Sequence, residues 1–161
     1  EQLLPKAQGL KAPFRCLSQA RFGICWGALG AATACYEQAL SYVKTRTTFG
    51  RNLASRQLVQ AKLVQMVTEI SKAQLVNIQL ARLKEQKRLN PAQISLAKMN
   101  NCRQALEIAR MARDLLGGNG ILDDTPIIRH LLNLETVNTY EGSEDIHRLI
   151  VGKALTGESA F

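Results

Sequence analysis

An all-α domain, built as an antiparallel up-down helical bundle, is what this sequence predicts. Three observations carry that reading. Apolar residues recur at three- and four-residue steps through long segments, and no stretch alternates at the strand period over more than a few residues. Gly, Pro and Asn cluster at the breaks between those segments.

Residues 1–13, EQLLPKAQGLKAP, carry two prolines and a glycine without periodicity and read as a linker. The first long helix presents Cys25, Ala28, Leu29, Ala32, Cys35, Tyr36, Ala39, Leu40 and Val43 on one face. Its small residues, GALGAATA, predict close approach of a neighbouring helix. Its uncharged run, Phe22 to Tyr36, is too short to span a bilayer and reads as a buried core helix. After the break TRTTFGRNLAS a second helix places Val59, Leu63, Met66, Val67 and Ile70 together and continues toward Leu83. Asn90-Pro91 then fits an N-cap followed by proline at the first helical position. The third helix runs through Ile94, Ala97, Ala105, Ile108, Ala112 and Leu115 and ends at GGNG, whose glycines suit a left-handed terminus. A shorter helix is expected over 127–134 and a last one over 144–155.

The chain has 161 residues, 46% apolar and 21% charged, which bounds it to one ordinary globular domain. A formal net charge of +8 favours anionic partners without choosing among them. The basic run RLKEQKR at the end of the second helix lacks interleaved aromatics and reads as a solvated helix end, so neither nucleic acid nor membrane is the expected partner. Cys16, Cys25, Cys35 and Cys102 have no paired spacing and fit a reducing compartment. The N-terminus lacks the order of a signal peptide. With no H-E-x-x-H and no EF-hand pattern, no metal is expected.

GGNGIL lacks the third glycine of a dinucleotide fingerprint and follows a helix, so a helix cap is favoured, although a cap and a contact surface can share one loop. Ser143 reads as an N-cap with Glu144 and Asp145 in the first turn, leaving His147 an ordinary helix residue and not part of a hydrolytic triad. In RTTFG, Arg46 is either a solvated loop arginine or a fork of donors for a phosphate, with Phe49 as an aromatic surface beside it. Glu141, in TYEGSED, is a surface carboxylate if exposed. If enclosed by Tyr140 and apolar neighbours, it is a base for a weakly acidic C–H.

Five pieces share order and spacing with one family: PFRCLSQARFGICWGALGAA, RTTFGRNLASRQLVQ, LLGGNGI, NLETVNTYEGSEDIH and LTGESAF. Together they resemble the C-terminal helical domain of the acyl-CoA dehydrogenases, and within that family the glutaryl-CoA dehydrogenases, from about residue 9 to the end. The resemblance implies that Glu141 abstracts the α-proton of an acyl-CoA thioester while a β-hydride passes to N5 of FAD. It implies that Gly142 lies against the substrate and that Ser143, usually threonine, contacts the flavin. Arg46 would bind the FAD diphosphate, with Gln57 following it. Asp114, Leu115, Leu116, Gly117 and Gly118 would lie along the adenosine end, and Phe161 would add a flavin contact. Arg46, Gln57 and the Asp114–Gly118 stretch would reach the FAD of a neighbouring subunit. The stretch Phe14, Arg15, Cys16, Leu17, Ser18, Gln19, Ala20 and Arg21 would run beside the acyl-CoA, with Arg21 its polar contact.

The implied partners are an acyl-CoA, further copies in a homo-oligomer (a tetramer) and electron-transferring flavoprotein. The implied compartment is the bacterial cytoplasm or the mitochondrial matrix. Family members carry an N-terminal helical domain and a β-domain ahead of this one, so a domain of a longer enzyme is expected, inactive alone. Its reaction would convert glutaryl-CoA to crotonyl-CoA and carbon dioxide. Two alternatives stay open: a dehydrogenase for another short-chain acyl-CoA, and a helical interaction domain without catalysis.

Overall fold

The computed structural model describes residues 9–160; residues 1–8 and Phe161, the expected terminal flavin contact, lie outside them. Five helices account for nearly all of the described chain. α1 spans Lys11–Thr45 and so begins inside the stretch read as linker. Pro13 does not prevent this, because amides of a first helical turn have no intrahelical acceptor to lose. A two-residue hairpin follows, β1 Thr47–Thr48 against β2 Arg51–Asn52, with Thr48 paired to Arg51. Phe49 (φ +49°) and Gly50 (φ +72°) form its tip, the paired left-handed geometry that matches strand twist in tight hairpins. The Arg46 carbonyl accepts from Leu53 N at 2.8 Å and Arg56 Nη2 donates to the Thr48 carbonyl at 3.0 Å, so the hairpin is tied to both flanking helices.

α2 spans Gln57–Glu85 and α3 spans Pro91–Leu115. Asn90 caps α3 as expected, and more completely: its side chain accepts from Gln93 N while Gln93 Oε1 accepts from Asn90 N, each at 3.0 Å. Past Leu116, Gly117 takes the left-handed φ of +58° that the glycine run predicted. A 3-10 segment, Gly117–Ile121, turns back over the end of α3. α4 spans Pro126–Thr139, five residues beyond its expected end, since nothing before Tyr140-Glu141-Gly142 breaks the helix. α5 spans Glu144–Thr156, where Gly157 closes it at φ +80°.

α3 is the central helix, packed against α1, α2, α4 and α5. Its buried Cys102, Ala105, Ile108, Ala109 and Ala112 meet Ala28, Ala32, Cys35, Ala39 and Val43 of α1, with Met66 and Ile70 from α2 and Ile127 and Leu134 from α4. The alanines bring α1 and α3 close, whereas Gly27 and Gly30 face outward with nothing of the chain near a Cβ built on them. Val67, assigned to the apolar face of the second helix, is instead 38% exposed. One buried seam is polar. Asn77 Nδ2 donates to the Cys25 carbonyl at 3.0 Å, and Asn101 Nδ2 donates to Asn77 Oδ1 at 2.8 Å, so each desolvated amide has a partner. Among the described residues no helix is long and apolar enough to cross a membrane, and no cluster of His, Cys, Asp and Glu fits a metal.

Candidate active site

The link between α4 and α5, Tyr140 to Ser143, reverses the chain through two left-handed residues, Glu141 at φ +57° and Gly142 at φ +97°. For glutamate that backbone is unfavourable by roughly 1–3 kcal/mol. Two cations stabilise it. Lys98, about two turns into α3, donates from Nζ to the Tyr140 and Gly142 carbonyls, each at 2.9 Å. Arg21 of α1 donates from Nε to the Glu141 carbonyl at 2.7 Å. Hydrogen bonds from charged donors contribute roughly 1.5–3 kcal/mol each, so the set offsets the backbone strain. Lys98 is only 1% exposed, and burial lowers its pKa, with the nearby Arg21 charge acting the same way.

Within this loop Glu141 is half-buried, and its Oε2 is buried with no hydrogen-bond donor. The lone pairs of this enclosed carboxylate oxygen are thus left uncommitted by the fold. Ser143 takes the N-cap position of α5, as expected, with Ile146 N 3.5 Å from its Oγ.

His147 is not the ordinary helix residue its neighbours implied. It is fully buried beneath Gly142, and neither ring nitrogen makes a well-formed hydrogen bond, although the Glu141 and Gly142 backbone faces the ring and partly opposes its loss of a proton. Gly142 sits at a φ of +97° that L side chains rarely adopt, and a Cβ added there would crowd His147 Nε2 at 3.0 Å and Arg21 Nη2 at 3.3 Å, so the fold itself favours glycine. Burial, reinforced by the Lys98 and Arg21 charges, pushes the His147 pKa down to about 4 from 6.5. The buried ring is therefore neutral, while the unfolded chain takes up a proton near 6.5. Its contribution to stability is fully present above pH 6.5 and is lost as pH falls toward about 4. The full effect is on the order of 3 kcal/mol. Thermal denaturation between pH 7 and 4 should show a shallower acid destabilisation for His147→Gln than for the parent.

A second cleft lies at the far end of α1. It has a volume of about 370 Å³ and is lined by Arg46, Thr48, Asp114, Leu115, Leu116, Gly117 and Gly118, among others. The Arg46 and Asp114–Gly118 groups, separate in sequence, thus share one surface. Gly117 and Gly118 leave their backbone open, with no atom of the chain within 4 Å of an added Cβ. The Asp114 carboxylate is engaged by Lys62 and Arg113, and the hydrogen bond from Lys62 lowers its pKa. Phe49 does not line this cleft but stands 98% exposed at the hairpin tip. Gln57 is exposed at the first position of α2, also outside the lining.

The Phe14–Arg21 stretch is helical, so its residues cannot all face one ligand. Phe14, Arg15, Ser18 and Gln19 line a basic cleft of about 610 Å³ with Lys11 and Pro91. Cys16, Leu17 and Ala20 are outside that lining, and Arg21 reaches the Glu141 carbonyl. An apolar slot of about 200 Å³, lined by Ile24, Gly27, Ala31, Leu134 and Tyr140 among others, borders the Glu141 loop.

Comparison with known proteins places these features in a family. The model for "Acyl-CoA dehydrogenase, C-terminal domain" matches residues 7–156. The mitochondrial short-chain specific acyl-CoA dehydrogenase of Bos taurus is 33% identical over 147 residues, 91% of this chain and 36% of that protein. The crystal structure of glutaryl-CoA dehydrogenase from Mycobacterium smegmatis superposes with TM-score 0.97 at 51% identity, covering 98% of this chain and 41% of that one. A second, of a glutaryl-CoA dehydrogenase from the same organism in complex with FADH2, gives TM-score 0.96 at 49% identity and covers the same shares. The chain therefore spans about 36% of the length of that curated relative. With the family model covering nearly all of it and the fold shared with enzymes of the same kind, the chain belongs to the acyl-CoA dehydrogenase family, as a C-terminal helical domain.

Proposed function

We propose that this chain supplies the catalytic base and part of the FAD and acyl-CoA sites of a longer glutaryl-CoA dehydrogenase, with upstream domains completing both sites. The observation that carries the proposal is the buried, unpartnered Oε2 of Glu141 on its strained and clamped loop. That oxygen accepts the α-proton of the thioester. The cleft holding Phe14, Arg15 and Ser18, with its basic lining, suits the anionic CoA portion, and the slot beside Tyr140 suits a short acyl group. Likeness to the two glutaryl-CoA dehydrogenase structures supports the substrate.

The Arg46 cleft fits one end of a dinucleotide: a guanidinium for the diphosphate and open glycine backbone for close approach. Bound FAD supplies the acceptor for the hydrogen lost from the β-carbon. Continuous helix separates Arg21 from Arg46, and 25 residues (46 minus 21) at 1.5 Å each make roughly 38 Å. That exceeds the reach of one dinucleotide, which supports a cofactor held between copies in a homo-oligomer, a tetramer in our reading. Exposed Val64, Val67, Leu75 and Ile78, on one side of α2, provide an apolar face for such packing. Electron-transferring flavoprotein is the proposed oxidant of the reduced enzyme.

The test uses the full-length protein with its flavin, mixed anaerobically with glutaryl-CoA or butyryl-CoA. We expect glutaryl-CoA to bleach the flavin and, with an electron acceptor, to yield crotonyl-CoA and carbon dioxide. Bleaching by butyryl-CoA alone would restrict the activity to a simple short-chain dehydrogenase. No bleaching by either would favour a non-enzymatic interaction domain.

A further inference from the structure

We infer that Lys98 is the positioning residue that holds Glu141 in its reactive orientation; the inference rests on the reading of Glu141 as the base. A lysine this buried is retained only where its ammonium has partners. Both hydrogen bonds of Lys98 go to the one loop, to the carbonyls immediately before and after Glu141. The two bonds bracket the point where the chain reverses, so a single ammonium ties both sides of that reversal together. Glu141 lies within it at φ +57°, a geometry its own side chain disfavours. The fold imposes that conformation, and with it the direction of the Cα–Cβ bond from which the carboxylate extends. Arg21 holds the intervening Glu141 carbonyl from the opposite helix, so the loop is fixed from α1 and α3 together. His147 fills the space beneath Gly142 and, being neutral, adds no charge that would compete with Lys98 for the loop.

The test uses the full-length flavoprotein with Lys98→Met and Lys98→Gln, the second serving if methionine collapses the fold. Glutaryl-CoA is the probe, and four quantities are read: the limiting rate of flavin reduction per bound flavin, substrate Kd, flavin content and melting temperature. We expect flavin content and Kd to stay near the parent's while the limiting rate falls on the order of 100-fold, as misplacement of a reacting group by about an ångström does. The kinetic isotope effect with α-deuterated substrate should rise, because proton abstraction becomes slower relative to other steps. A parental rate per bound flavin in either folded variant would overturn the assignment. Loss of flavin from both variants would assign Lys98 to folding alone and overturn it equally. Glu141→Gln, run in parallel, separates the two claims. If it abolishes reduction while the Lys98 variants stay fast, the clamp is refuted and the base stands; if it reduces flavin normally, the base reading itself is refuted.

Discussion

Replacing Glu141 with Gln in the full-length protein is expected to lower flavin reduction by glutaryl-CoA on the order of 10³-fold, within the range general-base catalysis supplies. Gln has nearly the same shape, so the Lys98 and Arg21 bonds, which go to backbone carbonyls, are undisturbed. What changes is chemistry alone. The amide has no basic oxygen, and its NH2 takes the place of an acceptor that the fold leaves unpartnered. Melting temperature should therefore move little while the rate collapses, and stopped-flow flavin absorbance beside a thermal melt reads both. A near-parental rate would remove Glu141 from the reaction.

Gly120→Ala is expected to have the largest effect on stability of the glycine-to-alanine substitutions. An added Cβ would lie 2.2 Å from the Arg113 carbonyl oxygen and 2.9 Å from its carbon, both backbone atoms that cannot swing aside. The 3-10 segment Gly117–Ile121 must then lift from the end of α3. Overpacking of this kind costs roughly 1–3 kcal/mol, occasionally more. Because Leu116, Gly117, Gly118 and Asn119 line the Arg46 cleft, the same displacement should weaken FAD retention. Thermal melting with and without added FAD measures the two effects. Alanine at Gly118, where a Cβ meets nothing of the chain, should leave the melt of the FAD-free protein unchanged.

The helices were legible because their apolar faces repeat at a fixed period, and their ends because Asn90, Gly117 and Ser143 are residue types with one favoured role there. The hairpin was not legible: two-residue strands carry no alternation, and a phenylalanine at positive φ is set by pairing across the turn. Gathering Arg46 with Asp114–Gly118 was legible only through family resemblance, since no spacing rule connects residues so far apart. The supports of the Glu141 loop were missed, although a signal was present. Lys98 and Asn101 interrupt a largely apolar stripe on α3, and a charge or amide on a core-facing stripe requires a partner. His147 gave no such signal, because its burial comes from the loop folding over it and not from its own helix pattern.

The buried amides of Asn77 and Asn101 sit one turn along their neighbours from the two cations: Arg21 precedes Cys25 by four residues, and Lys98 precedes Asn101 by three. Alanine faces would tolerate sliding of α1 past α3 by a helical step, since small side chains interlock weakly. A carboxamide chain anchored on the Cys25 carbonyl permits one axial alignment only. Those two asparagines thus act as a locating key, setting guanidinium and ammonium at matching heights.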